Sequence, residues 1–179
     1  MSSRGLGDVY KRQWTHLVEN TTVDATGISD DYVGQCYDFG ESCFNRDRST
    51  GLFTWSSGDW TVNWVTRFMS GISAPEDALN YFDVANGGAN PYTGAAFPAG
   101  VLEDVMDTYS IEDFYYHNAS VSYQYDDNTR VNVAITNVFD EEAPYYKSFF
   151  GFVDPQINTP QNTYDIVGQY VTASVSYSF

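Results

Sequence analysis

The chain has two histidines, His16 and His117, and these side chains would most readily serve as a general acid or base near neutral pH. A catalytic triad needs a histidine held between a nucleophile and a carboxylate, and with so few histidines no spacing in the sequence supports one. His117 lies among the apolar residues of an alternating stretch. At that position we expect the imidazole ring of His117 to lie at an interface, and not to act as a metal ligand or a catalytic base.

Carboxylates are far more numerous, with 24 Asp and Glu residues, and three adjacent pairs stand out: Asp30-Asp31, Asp126-Asp127 and Glu141-Glu142. Neighbouring side chains in a strand or turn point in different directions, so these pairs make poor acid–base dyads. No acidic run has the alternating Asp/Asn pattern with glycine of an EF-hand calcium loop. We therefore expect these carboxylates to be solvated surface charges. We expect no enzymatic activity, no metal site and no cofactor.

Cys36 and Cys43 are the only cysteines, and they lie in a polar, glycine-containing stretch without a nearby histidine. Two thiols do not complete a zinc site. A local disulfide formed in an oxidising compartment is the favoured interpretation, and two unpaired thiols are the alternative.

Ligand binding is the chemistry that the remaining residues support best. Arg67 lies on the polar side of an alternating stretch, where its guanidinium would contact an anionic ligand or, alternatively, form a salt bridge with one of the many carboxylates. Aromatic residues in the long polar segments would add ligand-contacting surface, and the candidates are Tyr32, Tyr37, Tyr145, Tyr146 and Phe149.

Composition narrows the class of protein. The net charge of −16 argues against a nucleic-acid partner, because phosphate binding requires clustered lysines and arginines. No segment approaches the ~18 consecutive apolar residues of a transmembrane helix. Aromatic residues make up 17% of the chain, with 15 tyrosines, and such a composition favours strands. Strands also span membranes, with apolar residues at every second position.

Period-two alternation predicts about six strands. It is clearest over 164–179, where Val171, Ala173, Val175, Tyr177 and Phe179 alternate with small polar residues. Further strands are predicted over 51–56 and 59–69, and over 114–125 and 129–139, as two hairpins. A weaker candidate covers 14–23, and residues 74–79 resemble a helix start.

The predicted connections alternate in length. Short turns fall at Ser57-Gly58 and at 126–128, whereas long acidic loops cover 24–50, 70–111 and 140–163. Long loops without secondary structure are uncommon in compact soluble domains. Short periplasmic turns with long extracellular loops are typical of antiparallel transmembrane β-barrels. An all-β barrel fragment is therefore expected, with its last strand running toward the periplasm.

Residues 1–13, MSSRGLGDVYKRQ, do not fit this pattern. The run SRGLGDVYKRQ resembles the translation of a transposase adapter used to prepare sequencing libraries. We therefore expect residues 1–13 to be non-native and residues 14–179 to be the protein proper. The alternative is a genuine basic N-terminal arm.

The last third of the chain resembles the C-terminus of TonB-dependent receptors. That family has an asparagine-rich strand ending in Asn-hydrophobic-Phe-Asp, then a loop and a closing strand. Here the first element covers 130–140 and ends in Asn137-Val138-Phe139-Asp140, and the closing strand follows from Tyr164. The family more often has Gly-Arg-Tyr where this chain has Gly168-Gln169-Tyr170.

The resemblance implies a Gram-negative outer-membrane barrel of about 22 strands, of which this chain supplies the last six or so. It implies energy-coupled uptake of a scarce ligand: siderophore-bound iron, cobalamin, haem or an oligosaccharide. Membrane lipid, a plug domain, the other strands and the TonB complex would be its partners. The last apolar positions, Val171 to Phe179, resemble the signal read by the barrel-assembly machinery. A smaller autonomous barrel, porin-like or adhesive, is the alternative.

Overall fold

A computed structural model describes residues 7–23, 27, 29–36, 43–73, 96, 110–146, 159–160 and 162–179. All regular secondary structure in these residues is β-strand. The strands are β1 (Gly7–His16), β2 (Thr21–Val23), β3 (Ser29–Asp31), β4 (Asp47–Ser57), β5 (Trp60–Met69), β6 (Phe114–Gln124), β7 (Thr129–Thr136) and β8 (Tyr170–Tyr177). The described part contains no helix long and apolar enough to cross a membrane.

Six of these strands form one antiparallel sheet in the order β1-β4-β5-β6-β7-β8. Strands β2 and β3 pair only with each other, as a small hairpin within the first long connection. Every neighbouring pair in the large sheet is consecutive along the chain apart from this hairpin. Such an up-and-down arrangement is what the alternating sequence pattern predicts, and the expected all-β antiparallel fold is confirmed.

The period-two pattern separates the sheet into an apolar face and a polar face. Directly paired residues of neighbouring strands lie on the same side of a sheet. On the apolar face Trp60 pairs with Tyr123, and Val62 pairs with Val121. On the polar face Thr54 donates a hydrogen bond to Asn63 Oδ1 at 2.8 Å, and Asn63 Nδ2 donates to Ser120 Oγ at 3.2 Å. Polar side chains thus satisfy one another across three strands.

Two short turns join strands at one end of the sheet. Gly58, in the turn between β4 and β5, has φ of 59°, a conformation that glycine adopts without strain. In the turn between β6 and β7 the Asp126 carboxylate accepts hydrogen bonds from the backbone N–H groups of Asn128 (2.9 Å) and Thr129 (2.7 Å). These bonds lower the pKa of Asp126.

The opposite end of the sheet carries the three long connections, residues 17–46, 70–113 and 137–169. The buried hydrophobic cluster is at this end and includes residues from all three connections: Cys36, Cys43, Met69, Ile72, Ile111, Tyr116, Tyr146 and Tyr164. Side chains on the apolar face of the sheet remain exposed, for example Val121 of the inner strand β6 at 38% and Val175 of the edge strand β8 at 68%. The core therefore lies beneath the loops and not between two layers.

The first strand differs from the sequence-based expectation. A strand was expected over 14–23, but β1 ends at His16 and starts at Gly7, so residues 7–13 pair with β4. Alternation across 14–23 is broken at Glu19-Asn20, which separates β1 from the β2 hairpin. The helix start expected at 74–79 lies outside the described residues.

Candidate functional site

Arg67 lies on the polar face two residues before the end of β5, beside the long connections. Its guanidinium carbon is 5.0 Å from the centre of the Tyr116 ring, a cation–π contact with the strand that pairs with β5. Within the described part of the chain Arg67 forms no ion pair with a carboxylate. Its side chain is exposed, so the guanidinium donors can reach an anion on the polar side of the sheet.

Arg48 is a close neighbour of Arg67, because Arg48 pairs with Met69 and Thr50 pairs with Arg67 in adjacent strands. Unlike Arg67, it is held by the loops. Its Nη2 donates to the carbonyl of Cys43 at 2.7 Å and to Asn45 Oδ1 at 2.9 Å. Sequence analysis did not identify Arg48, although its position in the alternation of β4 places it on the polar face.

The aromatic candidates occupy different environments. Tyr145 is 55% exposed, whereas its neighbour Tyr146 is only 3% exposed and belongs to the buried cluster. Tyr32 is half-buried. Tyr37 and Phe149 lie outside the described residues. Of the described candidates, Arg67 and Tyr145 present accessible side chains, and Tyr146 contributes to packing.

Cys36 and Cys43 form a disulfide, and both are 2% exposed. The backbone N–H of Cys43 donates to Thr163 Oγ1 at 3.0 Å, which joins the first long connection to the third. Asn45 Nδ2 donates to the carbonyl of Ser70 at 2.6 Å and to the hydroxyl of Tyr164 at 3.2 Å. Burial of Tyr164 raises the pKa of its hydroxyl, which stays protonated at neutral pH.

The Asn137-Val138-Phe139-Asp140 segment forms a turn after β7, with φ of 54° at both Asn137 and Asp140. Asn137 is 2% exposed; its Nδ2 donates to the carbonyl of Glu141 at 2.8 Å, and its Oδ1 accepts from the N–H of Glu141 at 3.0 Å. Asparagine tolerates this left-handed conformation better than other side chains.

The same turn positions the start of β8. Asp140 Oδ1 accepts a hydrogen bond from the backbone N–H of Gln169 at 2.7 Å, and Gln169 Nε2 donates to the carbonyl of Val138 at 2.7 Å. A Cβ at Gly168 would lie 2.9 Å from Asp140 Oδ1, so a larger residue there would push this carboxylate oxygen away from its present position. Gln169, the position that departs from the family pattern, thus supplies a side-chain donor to the turn.

The apolar positions of β8 form one exposed row on the apolar face. Val131, Val133 and Ile135 of β7 pair with Val175, Ala173 and Val171. Tyr177 is 59% exposed, and Phe179 is fully exposed, with its ring 5.1 Å from that of Tyr177. In the described structure β8 pairs with β7 alone, so its other edge is open.

The two histidines each contact a polar side chain of a neighbouring strand. His16 Nδ1 lies 2.7 Å from Asp47 Oδ1, and His117 Nδ1 lies 3.0 Å from Thr66 Oγ1, both on the apolar face. The His117 ring also packs edge-on against Phe139, with centroids 5.1 Å apart. Within the described ranges no three His, Cys, Asp or Glu side chains are grouped to hold a metal ion.

Solved structures with a similar fold cover nearly the whole chain. The siderophore receptor PirA from Acinetobacter baumannii matches 96% of it, with a TM-score of 0.53 and 16% identity. A variant of the ferric enterobactin receptor PfeA from Pseudomonas aeruginosa, in complex with enterobactin, matches 99% with a TM-score of 0.55 and 11% identity. Another PfeA variant matches 99% with a TM-score of 0.54 and 11% identity.

This chain spans only about a fifth of those receptors, namely 20% of PirA and 21% of the enterobactin-bound PfeA variant. No known protein family and no curated protein matches the sequence. The structural likeness shows that the six-stranded sheet has the fold of part of a TonB-dependent receptor barrel, as the sequence resemblance predicted. The proteins that share the fold are receptors and not enzymes.

Proposed function

We propose that residues 14–179 are the C-terminal part of the barrel of a TonB-dependent receptor in the outer membrane of a Gram-negative bacterium. The observation that carries the proposal is the sheet itself. It has one apolar and one polar face, short turns at one end and long connections at the other, and its match to part of a receptor barrel covers 96–99% of the chain. In this assignment the apolar face contacts lipid, and the polar face lines the lumen.

The complete receptor would take up a scarce ligand with energy supplied through TonB. A plug domain and roughly sixteen further strands would complete its barrel. The chain alone would leave both edges of the sheet open, and hydrocarbon does not tolerate unpaired backbone groups. Transport is therefore a property of the complete receptor.

Residues 7–13 are a poor match to the lipid-facing wall, which supports their non-native origin. Asp8 is opposite Trp55, and Arg12 is opposite Gly51, so both charges fall on the apolar face. On that face β5 to β8 contribute no charged side chain, and β4 contributes only Asp47, at the end beside the loops. An arginine facing lipid near the membrane midplane costs about 2–4 kcal/mol. The backbone of almost any sequence can hydrogen-bond to the edge of β4. The charged side chains of Asp8 and Arg12, however, do not suit a lipid-facing surface.

Sequencing the source DNA across codon 14 tests the assignment directly. We expect the reading frame to continue upstream of Trp14 into an alternating, lipid-compatible strand, without the codons for residues 1–13. Farther upstream we expect a plug-like domain preceding roughly sixteen strands. A start codon and signal peptide immediately before Trp14 would instead indicate a small autonomous barrel.

Arg67 is proposed to contact an anionic ligand, with the exposed ring of Tyr145 providing apolar surface. In the complete receptor, Arg67→Gln is expected to weaken binding of a ferric siderophore by roughly tenfold, as expected for one charge-assisted hydrogen bond. Binding is measured by quenching of intrinsic fluorescence in the purified receptor.

Arg130→Gln is the matched control for Arg67. Arg130 lies on the same polar face at the other end of the sheet, where its Nε donates to Gln124 Oε1 at 2.9 Å. We expect this variant to bind the siderophore like the parent. Equal affinity of the Arg67→Gln variant and the parent would exclude Arg67 from the ligand site, and equal loss in both variants would indicate a general effect of lumen charge.

A further inference from the structure

Tyr116, the third residue of β6, lies on the polar face of the sheet and is only 2% exposed. Its hydroxyl donates a hydrogen bond to the backbone carbonyl of Asp165 at 3.1 Å and accepts one from the backbone N–H of the same residue at 2.9 Å. The Phe114 ring packs edge-on against the Tyr116 ring, with centroids 4.8 Å apart. The ring is therefore fixed both by its hydroxyl and by packing at its side.

Arg67 lies against this fixed ring, because Arg67 and Tyr116 are direct partners in the register of β5 and β6. The guanidinium carbon is 5.0 Å from the ring centre. The face of an aromatic ring attracts a cation through its quadrupole but carries no counter-charge. In the part of the chain that the structure describes, no carboxylate pairs with Arg67. The ring thus holds the guanidinium without neutralising it.

A second arginine shares this part of the polar face. Arg48 is the diagonal neighbour of Arg67, since Thr50 is the direct partner of Arg67 in β4, and diagonal neighbours are about 7–8 Å apart. Within the described ranges Arg48 has no carboxylate partner either, although the chain contains 24 acidic and 8 basic residues. Two like charges at this separation repel each other, and an anion beside them would relieve the repulsion.

We propose that Tyr116 is the positioning residue for Arg67: its fixed ring holds the guanidinium on the polar side of the sheet with its charge available to an anionic ligand. A carboxylate at position 116 would neutralise the charge and accept the guanidinium hydrogen bonds. Without the ring, the long side chain would adopt many rotamers, and anion binding would bear the entropy cost of ordering it. This role rests on the proposed function, in which Arg67 contacts an anionic ligand.

Labelling of arginines with phenylglyoxal tests the positioning without any ligand. The reagent attacks the uncharged guanidine, which a cation–π contact disfavours. In the complete receptor in detergent, with sites quantified by mass spectrometry, Tyr116→Leu is expected to accelerate labelling of Arg67 about two- to fivefold. Tyr116→Phe keeps the ring and should label Arg67 at nearly the parent rate. Labelling of Arg130, at the other end of the polar face, should not change in either variant.

Tyr115→Leu is the matched control, because it removes a ring from the adjacent position on the opposite face, where Tyr115 packs 5.0 Å from Phe68. We expect it to leave Arg67 labelling unchanged. Phenylalanine and trifluorophenylalanine at position 116 provide a second comparison, which decides the question if Tyr116→Leu does not fold. The two rings have nearly the same shape, but fluorine withdraws charge from the ring face. Faster labelling of Arg67 is expected beside the fluorinated ring, and equal labelling would overturn the proposal.

A double-mutant cycle tests whether Tyr116 acts on binding through Arg67. With ferric tris(catecholate), a trianionic chelate, as the probe, Tyr116→Leu is expected to weaken binding about two- to fivefold. In an Arg67→Gln background the same substitution should have no further effect. A residue that only maintains the fold would weaken binding equally in both backgrounds, and that result would overturn the proposal.

Failure of the proposed function gives a different result. If Arg67→Gln and the parent bind the probe equally, or the parent does not bind it, the assignment of Arg67 as a ligand contact loses its support. The labelling rates of Arg67 beside the different rings at position 116 then still decide whether Tyr116 holds the guanidinium.

Discussion

Asn137→Ala is expected to lower the free energy of unfolding by about 2–4 kcal/mol, a large effect for one residue of a turn. The substitution removes two hydrogen bonds to Glu141 inside a turn where Asn137 is 2% exposed. It also places alanine at φ of 54°, which is strained for a residue with a Cβ and no side-chain hydrogen bond. Because the turn positions the start of β8, the last strand should detach first.

Urea unfolding of the complete protein in detergent, followed by tryptophan fluorescence, gives this free energy. Asn137→Gly separates the two contributions, because glycine loses the hydrogen bonds but accepts the positive φ. We expect the glycine variant to be more stable than the alanine variant by about 1 kcal/mol. Asn128→Ala, in the exposed short turn, is the control. Equal stability of all these variants and the parent would show that the turn does not hold β8.

Phe179→Ala combined with Tyr177→Ala is expected to reduce the amount of assembled protein in the outer membrane by about tenfold, if these residues are read as a strand-addition signal. The folded sheet should lose little stability, because Phe179 is fully exposed and Tyr177 is 59% exposed. A large loss of assembly with little loss of stability is the signature of recognition by another protein.

Quantitative blotting of outer-membrane fractions measures assembly, and unfolding of the purified protein measures stability. Ser176→Ala combined with Ser178→Ala is the matched control, since these residues alternate with Tyr177 and Phe179 along the same strand. We expect this control to assemble normally. Normal assembly of the aromatic double variant would rule out a signal in these side chains. A parallel drop in assembly and stability would assign them a packing role instead.

Much of the fold follows from local sequence. The alternation in Thr129–Thr136 and Tyr170–Tyr177 specifies strands with one apolar face, because side chains of a strand point to opposite sides in turn. Turn residues such as Gly58 and Asp126 determine the backbone conformation only of residues a few positions away in the sequence. The hairpins, the polar and apolar faces and the alternation of short and long connections were therefore all predicted, as was the position of Arg67 on the polar face.

The environment of the candidate site depended instead on contacts between distant residues. Asn45 meets Tyr164 across 119 positions, and Arg67 lies over Tyr116 from the next strand. Tyr145 and Tyr146 were equivalent as sequence candidates, yet one is exposed and the other buried. Only the packing of three separate connections on one end of the sheet distinguishes them.

The first strand illustrates the same division. Alternation in 14–23 predicted a strand there, but pairing along the edge of β4 extends β1 back to Gly7 and ends it at His16. Pairing along a strand edge is made by backbone hydrogen bonds, which form with almost any side chain present. The alternation of apolar and polar residues therefore does not determine where such pairing stops. The sequence by itself determined which residues form strands and which face each side chain takes, because both depend on near neighbours. The tertiary structure decided which loops share a core and which side chains meet, because those contacts join residues far apart in the chain.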